Sequence, residues 1–192
     1  KDIFDSLDFS LTDAQIRVLR EIRLDLASNK PMNRLIQGDV GSGKTIVAVL
    51  ATAIVLSHGA QAAVLAPTEI LVEQHYVSFL KFCKPAGIRI EMLTGNLKKD
   101  KRNKIINDLK SGEIHLIVGT HALIQESVKF HDLGMIIVDE QHRFGVQQRK
   151  ALIDKGYLPE VLALTATPIP RTLAFTIHGD MEISIIDEMP KN

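Results

Sequence analysis

The chain alternates two hydrophobic patterns: short runs of consecutive apolar, mostly β-branched residues, and longer stretches in which apolar residues recur every three or four positions. The short runs predict strands at Arg34–Gln37, Ala62–Ala66, Ile88–Leu93, His115–Val118, Met135–Val138, Val161–Leu164 and Ile183–Ile186. The longer stretches predict helices at Gly43–Ser57, Ile70–Cys83, Lys99–Ser111 and Val146–Lys155, each ended or followed by Gly or a polar turn. Segments such as AAVLA (Ala62–Ala66) and MIIV (Met135–Val138) are apolar at successive positions, so both faces of those strands must be covered. Strand, helix, strand repeated in this way is the signature of an α/β fold with a parallel sheet of about seven strands flanked by helices. Lys1–Pro31 reads as a helical lead-in, residues 32–182 as the main domain, and residues 183–192 as a last strand followed by a linker. Ligands of such sheets sit at the carboxyl ends of the strands, so chemistry should follow strands rather than precede them.

Composition narrows the class of partner. With 45% hydrophobic residues among 192, the chain can bury a sizeable core. Its 23 basic and 23 acidic residues cancel, so any polyanion must be held by local groups rather than by a global field. The longest nearly unbroken apolar run, Ile46–Leu56, is about half of what a bilayer crossing needs, which predicts a soluble chain with no membrane partner. One cysteine, Cys83, excludes an internal disulfide and a cysteine-rich zinc site, and the cytoplasm is the expected compartment. A start at Lys1 and an end at Lys191-Asn192 suggest a piece of a larger protein.

Two segments carry chemistry in the context that gives them meaning. After the strand RLIQ comes Gly38-Asp39-Val40-Gly41-Ser42-Gly43-Lys44-Thr45, which fits G-x-x-x-x-G-K-[ST] and opens into a helix. Its glycines let backbone N–H groups curl around an anion, and the helix N-terminus adds partial positive charge at the same point. Lys44 would reach the β- and γ-phosphates of a nucleotide, and the Thr45 hydroxyl would ligate Mg²⁺. The strand GMIIV ends in Asp139-Glu140-Gln141-His142, which sets two carboxylates at a carboxyl edge. One acid, Asp139, suits the metal; the other, Glu140, suits the orientation and deprotonation of an attacking water.

With these residues in place, DEQH resembles the DExH box of superfamily 2 helicases, and further helicase motifs follow in the expected order over most of the chain. Ala66-Pro67-Thr68-Glu69 with Gln74-His75 resembles motif Ia, Gly119-Thr120-His121 motif Ib, and Thr165-Ala166-Thr167-Pro168 motif III. More narrowly, GDVGSGKT, APTEILVEQH, GTHAL, DEQHRFGVQQR and LTATPIPRTLA resemble the bacterial RecG helicase family, whose members remodel stalled forks and branched DNA. The transcription-repair coupling factor, which usually carries DEEH at the acid box, and the primosomal helicase are weaker matches. The resemblance implies a RecA-like P-loop NTPase fold, ATP and Mg²⁺ as cofactors, forked or branched DNA as partner, and a second RecA-like domain, in which the remaining catalytic arginines lie and which nothing after Thr167 resembles.

The same resemblance assigns further residues, each beside a plainer reading. Phe9, Leu11 and Gln15 resemble an adenine-recognition segment, yet Thr12-x-x-Gln15 is also a capping box at a helix start. Pro67, Thr68, Glu69, Gly119, Thr120 and His121 would position DNA phosphates, although Thr68 and Thr120 could simply cap the helices that follow. Thr165 and Thr167, with His142 as the link to the acid box, would couple the phosphate site to the DNA site, or form a polar strand-to-helix turn. The basic run Lys98–Lys104 reads as a solvated helix face, and Cys83 as core. A metabolite kinase would not need the segments after successive strands, and a nucleotide-sensing module would not need Glu140.

Overall fold

The structure, a computed structural model, describes residues 7–170, 172–173 and 180–191. Arg171 and Ala174 of the last helicase-like segment, and the first six residues of the lead-in, lie outside the described residues. Seven strands are present among those described: β1 (Asn33–Gly38), β2 (Gln61–Leu65), β3 (Ile90–Leu93), β4 (Leu116–Gly119), β5 (Leu133–Asp139), β6 (Glu160–Thr165) and β7 (Glu182–Ile186). They form one sheet in the order β3-β4-β2-β5-β6-β1-β7, and every pair is parallel. The α-helices whose bounds lie among the described residues are α1 (Asp13–Leu26), α2 (Lys44–Ser57), α3 (Glu69–Cys83), α4 (Lys99–Ser111) and α5 (Val146–Ile153).

The consecutive apolar runs divide by parity between two cores. Val64, Ile137, Leu162 and Leu164 face α1, α2 and α3 in one core, while Ala63, Leu65, Ile136 and Val138 face α4 and α5 in the other. Successive side chains of a strand point to opposite faces, so a strand covered on both sides must be apolar at every position. Helix α2 shows the same logic in three dimensions: Ile46–Thr52 is buried at every residue, because the helix lies sandwiched between the sheet and its neighbours α1 and α3.

Element ends differ from the sequence reading by one or two residues. Ile88 and Arg89 precede β3 because Ile88 N–H closes the turn after α3 by donating to the Cys83 carbonyl (3.0 Å). Helix α5 stops at Ile153, where Asp154 and Lys155 turn the chain instead of reaching a further helical residue. In the lead-in, the described helix begins at Asp13, capped by Thr12. Cys83 sits in the α3 core at 2% exposure, and burial alone pushes its thiol up to about 11.

At pH 8 that displacement from the model-peptide range cuts the thiolate population roughly a hundredfold, and access is blocked as well. A chromogenic disulfide reagent should therefore leave Cys83 unlabelled in the native chain at pH 8 and titrate one thiol per chain in denaturant; prompt native labelling would contradict the packing of α3.

Candidate nucleotide and nucleic-acid site

The phosphate loop, the acid pair and the segments resembling motifs Ia, Ib and III each follow the carboxyl end of a strand, whereas Phe9, Leu11 and Gln15 precede the sheet at the start of α1. The loop after β1 carries the phosphate-binding sequence and runs directly into α2, whose N-cap is Gly43. Gly43 has φ +86°, and a Cβ built on it would come within 2.0 Å of Gln15 Nε2, so both the backbone conformation and the close approach require glycine. Lys44 Nζ donates to the Gly38 carbonyl (2.6 Å) and the Asp39 carbonyl (3.0 Å), which holds the ammonium over the mouth of the loop. Burial lowers its pKa from the ordinary lysine value, opposed by the nearby charges of Asp139, Glu140 and Asp39. The Ser42 hydroxyl is buried without a hydrogen-bond partner among the described residues, directed into the same loop. A cavity of about 280 Å³ opens between the loop residues Gly38 and Asp39 and the segment Ala166–Pro168.

Gln15 realises the capping reading. Its Oε1 accepts from Thr12 N–H (2.9 Å), Thr12 Oγ1 accepts from Gln15 N–H (3.2 Å), and Gln15 Nε2 donates to the Ser42 carbonyl (3.2 Å). At 2% exposure it ties α1 to the phosphate loop from behind, while Phe9 is exposed and Leu11 half-buried. The end of the chain reaches the same place. Arg17 donates to the Ile185 carbonyl (2.7 Å) and pairs with Asp187, and Glu188 accepts from Ala14 N–H (3.1 Å) in the first turn of α1.

The two acids of DEQH are held in different ways. Asp139 ends β5, and its Oδ2 accepts from His75 Nε2 at 2.7 Å. Glu140 adopts the left-handed conformation with φ +49°, uncommon for a non-glycine residue and costing on the order of 1–2 kcal/mol. This turns its carboxylate toward the end of β6: Oε2 accepts from Thr165 Oγ1 and Oε1 from Ala166 N–H, both at 3.3 Å. Thr165 Oγ1 in turn accepts from Thr167 N–H (3.1 Å). The link between acid box and TATP segment is thus made by Glu140 itself. His142 was expected to bridge the two; it approaches Glu140 Oε2 at 3.4 Å from an exposed position. Gln37, at the end of β1, joins the network from the other side by accepting from Ile169 N–H (3.1 Å).

At the adjacent ends of β2 and β4, Thr68 and Thr120 are both caps. Thr68 Oγ1 accepts from Leu71 N–H (3.2 Å) and Thr120 Oγ1 from Ala122 N–H (3.5 Å). A threonine hydroxyl that accepts in a cap keeps its own proton to donate, so capping and phosphate contact are compatible where the group is exposed. Thr68 is exposed; Thr120, at 4%, is not, and Gly119 is buried so tightly that a Cβ would come within 2.5 Å of the Leu93 carbonyl. His121 is therefore the surface member of its trio. Pro67 is half-buried, and the exposed Glu69 carboxylate accepts from Asn96 Nδ2 (3.0 Å), leaving only its backbone N–H suited to an anion. The basic run spans the N-cap and first turns of α4; its lysines are exposed, Arg102 is half-buried, and Lys104 pairs with Asp108 (2.9 Å).

Two contacts lie outside the motif assignments: His75, which the motif Ia resemblance includes without a role, meets Asp139, and Gln37 meets the backbone of Ile169. The signal for His75 lay in the pattern: it is the one polar ring in the buried stripe Val72, His75, Phe79, Phe82, Cys83 of α3. No group of three or more metal-ligating side chains stands together among the described residues. No described helix is long and apolar enough to cross a membrane.

Comparison with known proteins agrees with this geometry. The DEAD/DEAH box helicase family matches residues 12–175. The chain is 56% identical over 97% of its length to an ATP-dependent DNA helicase RecG from Synechocystis sp., and 54% identical over 97% to that of Aquifex aeolicus. It spans only 22% and 24% of those relatives. A solved structure of RecG bound to a three-way DNA junction superposes on 99% of the chain with a TM-score of 0.86 and 45% identity, the chain covering 25% of it. The helicase domain of Pyrococcus furiosus Hef, at 24% identity and a TM-score of 0.68, shares the fold. The chain belongs to the DEAD/DEAH box helicase family and, within it, is a RecG-like motor domain.

Proposed function

We propose that this domain is the first of two RecA-like halves of an ATP-dependent DNA helicase of the cytoplasm, which couples ATP hydrolysis to remodelling of forked or branched DNA. The observation that carries the reading is the Glu140 carboxylate, turned by a left-handed backbone onto Thr165 and Ala166 while Lys44 stands over the phosphate loop. It links the group suited to activating water to the strand end that would sense the opposite domain and the DNA. The curated relatives named as ATP-dependent DNA helicases, and the junction-bound RecG structure, support the same activity and partner.

In this reading Lys44 leaves the loop carbonyls to hold the β- and γ-phosphates, and the loop N–H groups with the start of α2 cradle the rest. The donor set fits Mg²⁺: a threonine hydroxyl on Thr45 and one free carboxylate oxygen on Asp139 are hard oxygen ligands, as that ion prefers. When bound, the ion neutralises charge on the phosphates. Glu140 accepts the proton of the attacking water, and its bonds to Thr165 Oγ1 and Ala166 N–H fix the direction from which it does so. Phe9 and Leu11 offer apolar surface for adenine, and Gln15 positions the loop behind it. Thr68, the backbone at Glu69 and His121 bind the sugar-phosphate chain without reading bases, since backbone contacts carry no sequence information. The segment after β7 leads toward the second domain, whose arginines would complete the site.

Lys44→Ala should weaken MgATP binding at least tenfold, because a charge-assisted contact of about 1.5–3 kcal/mol is removed. Isothermal titration of mutant and wild type checks this, and equal curves would remove the assignment. Glu140→Gln keeps shape but cannot accept a proton; in the full-length protein it should preserve nucleotide affinity while lowering turnover by a factor of about 10² to 10⁴. Turnover at the wild-type rate on forked DNA would sink the proposed role of Glu140. For the DNA track, Thr68→Val should reduce the stimulation of ATPase by forked DNA severalfold with DNA-independent turnover unchanged, whereas Thr120→Val, buried, should act on stability instead. Unchanged stimulation by Thr68→Val in an assay against DNA concentration would leave that residue as a helix cap alone.

A further inference from the structure

We propose that His75 is a positioning residue of the metal site: it holds one oxygen of Asp139 so that the other is presented to the Mg²⁺ of the bound nucleotide. The inference rests on the reading of Asp139 as the metal-holding acid.

Histidine is out of place where it stands. The buried stripe of α3 runs Val72, His75, Phe79, Phe82, Cys83, and an imidazole among those neighbours must find a hydrogen-bond partner or bear the cost of burying a polar group without one. At 8% exposure its Nε2 lies 2.7 Å from Asp139 Oδ2, with both side chains largely shielded from water. A carboxylate offers only lone pairs, so Nε2 is the donor. No hydrogen bond to the other carboxylate oxygen, Oδ1, is present among the described residues.

The consequence is geometric. A carboxylate at the end of a strand can rotate about χ2 and offer either oxygen, or both, to a cation. Mg²⁺ demands near-ideal octahedral geometry and normally takes a single oxygen from each carboxylate. Fixing Oδ2 selects a one-oxygen arrangement in advance, which is how hydrogen-bonded partners of ligating carboxylates tune metal affinity elsewhere. The ring is fixed in turn by a rigid support. Helix α3 starts at the exposed cap Thr68, seven residues and about 10 Å earlier on nearly the same face. The donor to the metal acid and the strand end proposed to meet DNA therefore move as one body.

Neither neighbour of His75 in the sequence provides this contact. Gln74 is exposed, and Tyr76 is only half-buried. The other histidine near the acids, His142, touches Glu140 rather than Asp139.

The test separates metal binding from nucleotide binding in the full-length protein. A fluorescent ADP analogue is titrated without metal, and then at fixed concentration against Mg²⁺, reading the Mg²⁺ concentration that gives half-maximal tightening. His75→Leu keeps the apolar stripe and removes the donor; His75→Gln places an amide N–H near the position of Nε2. His75→Leu should raise the half-saturating Mg²⁺ by about 10- to 100-fold with metal-free affinity unchanged, and His75→Gln should restore most of the loss. His75→Met takes the place of the Leu variant if that one does not melt with wild type. Asp139→Ala provides the reference: it should remove the Mg²⁺ effect, and adding His75→Leu to it should cause no further change. If Asp139→Ala leaves the Mg²⁺ dependence intact, the assignment of Asp139 as metal acid fails and the inference with it. If Asp139→Ala abolishes the dependence while His75→Leu matches wild type, the metal acid stands and the role of His75 is overturned.

Discussion

A parallel sheet covered on both faces has nowhere to place polar chemistry except at its ends, and that constraint organises this domain. Strands β2, β5 and β6 are apolar at nearly every position because each side chain enters one of two cores. Charged and hydroxyl groups are expelled to the loops, and parallel pairing brings the loops from successive strand ends to one edge. The P-loop, the two acids, the TATP segment and the trios Pro67–Glu69 and Gly119–His121 are close in space because the strands that precede them are neighbours in the order β3-β4-β2-β5-β6-β1-β7.

Within that edge, the two carboxylates are held by different surroundings. Asp139 continues the strand and is held by a ring on α3, so it stays where the strand points it. Glu140 leaves the strand through a left-handed residue and is held by β6, which ties its position to whatever moves the end of that strand. Two acids adjacent in sequence are thereby anchored to opposite flanks of β5.

The back of the phosphate loop shows a second tie. Gln15 spans from the cap of α1 to the Ser42 carbonyl, and a side chain at Gly43 would collide with it. Arg17 and Ala14 then connect α1 to Ile185, Asp187 and Glu188 after the last strand. Lead-in, loop and C-terminal segment form one hydrogen-bonded unit at the P-loop edge of the sheet, although they are separated by most of the chain.

The sequence by itself determined the fold class, the approximate positions of all seven described strands, and the locations of the P-loop and acid pair. Those features are local: consecutive apolar runs, glycine spacing and strand-end carboxylates are legible in windows of a few residues. What only the tertiary structure decided is which groups meet. That Thr120 is buried while Thr68 is exposed, that Glu140 rather than His142 reaches Thr165, and that His75 holds Asp139 across 64 positions all depend on strand order and helix rotation. A one-residue shift in a strand or a 100° turn of a helix sends a side chain to another partner, and no short window of sequence fixes either; the packing of the whole sheet does.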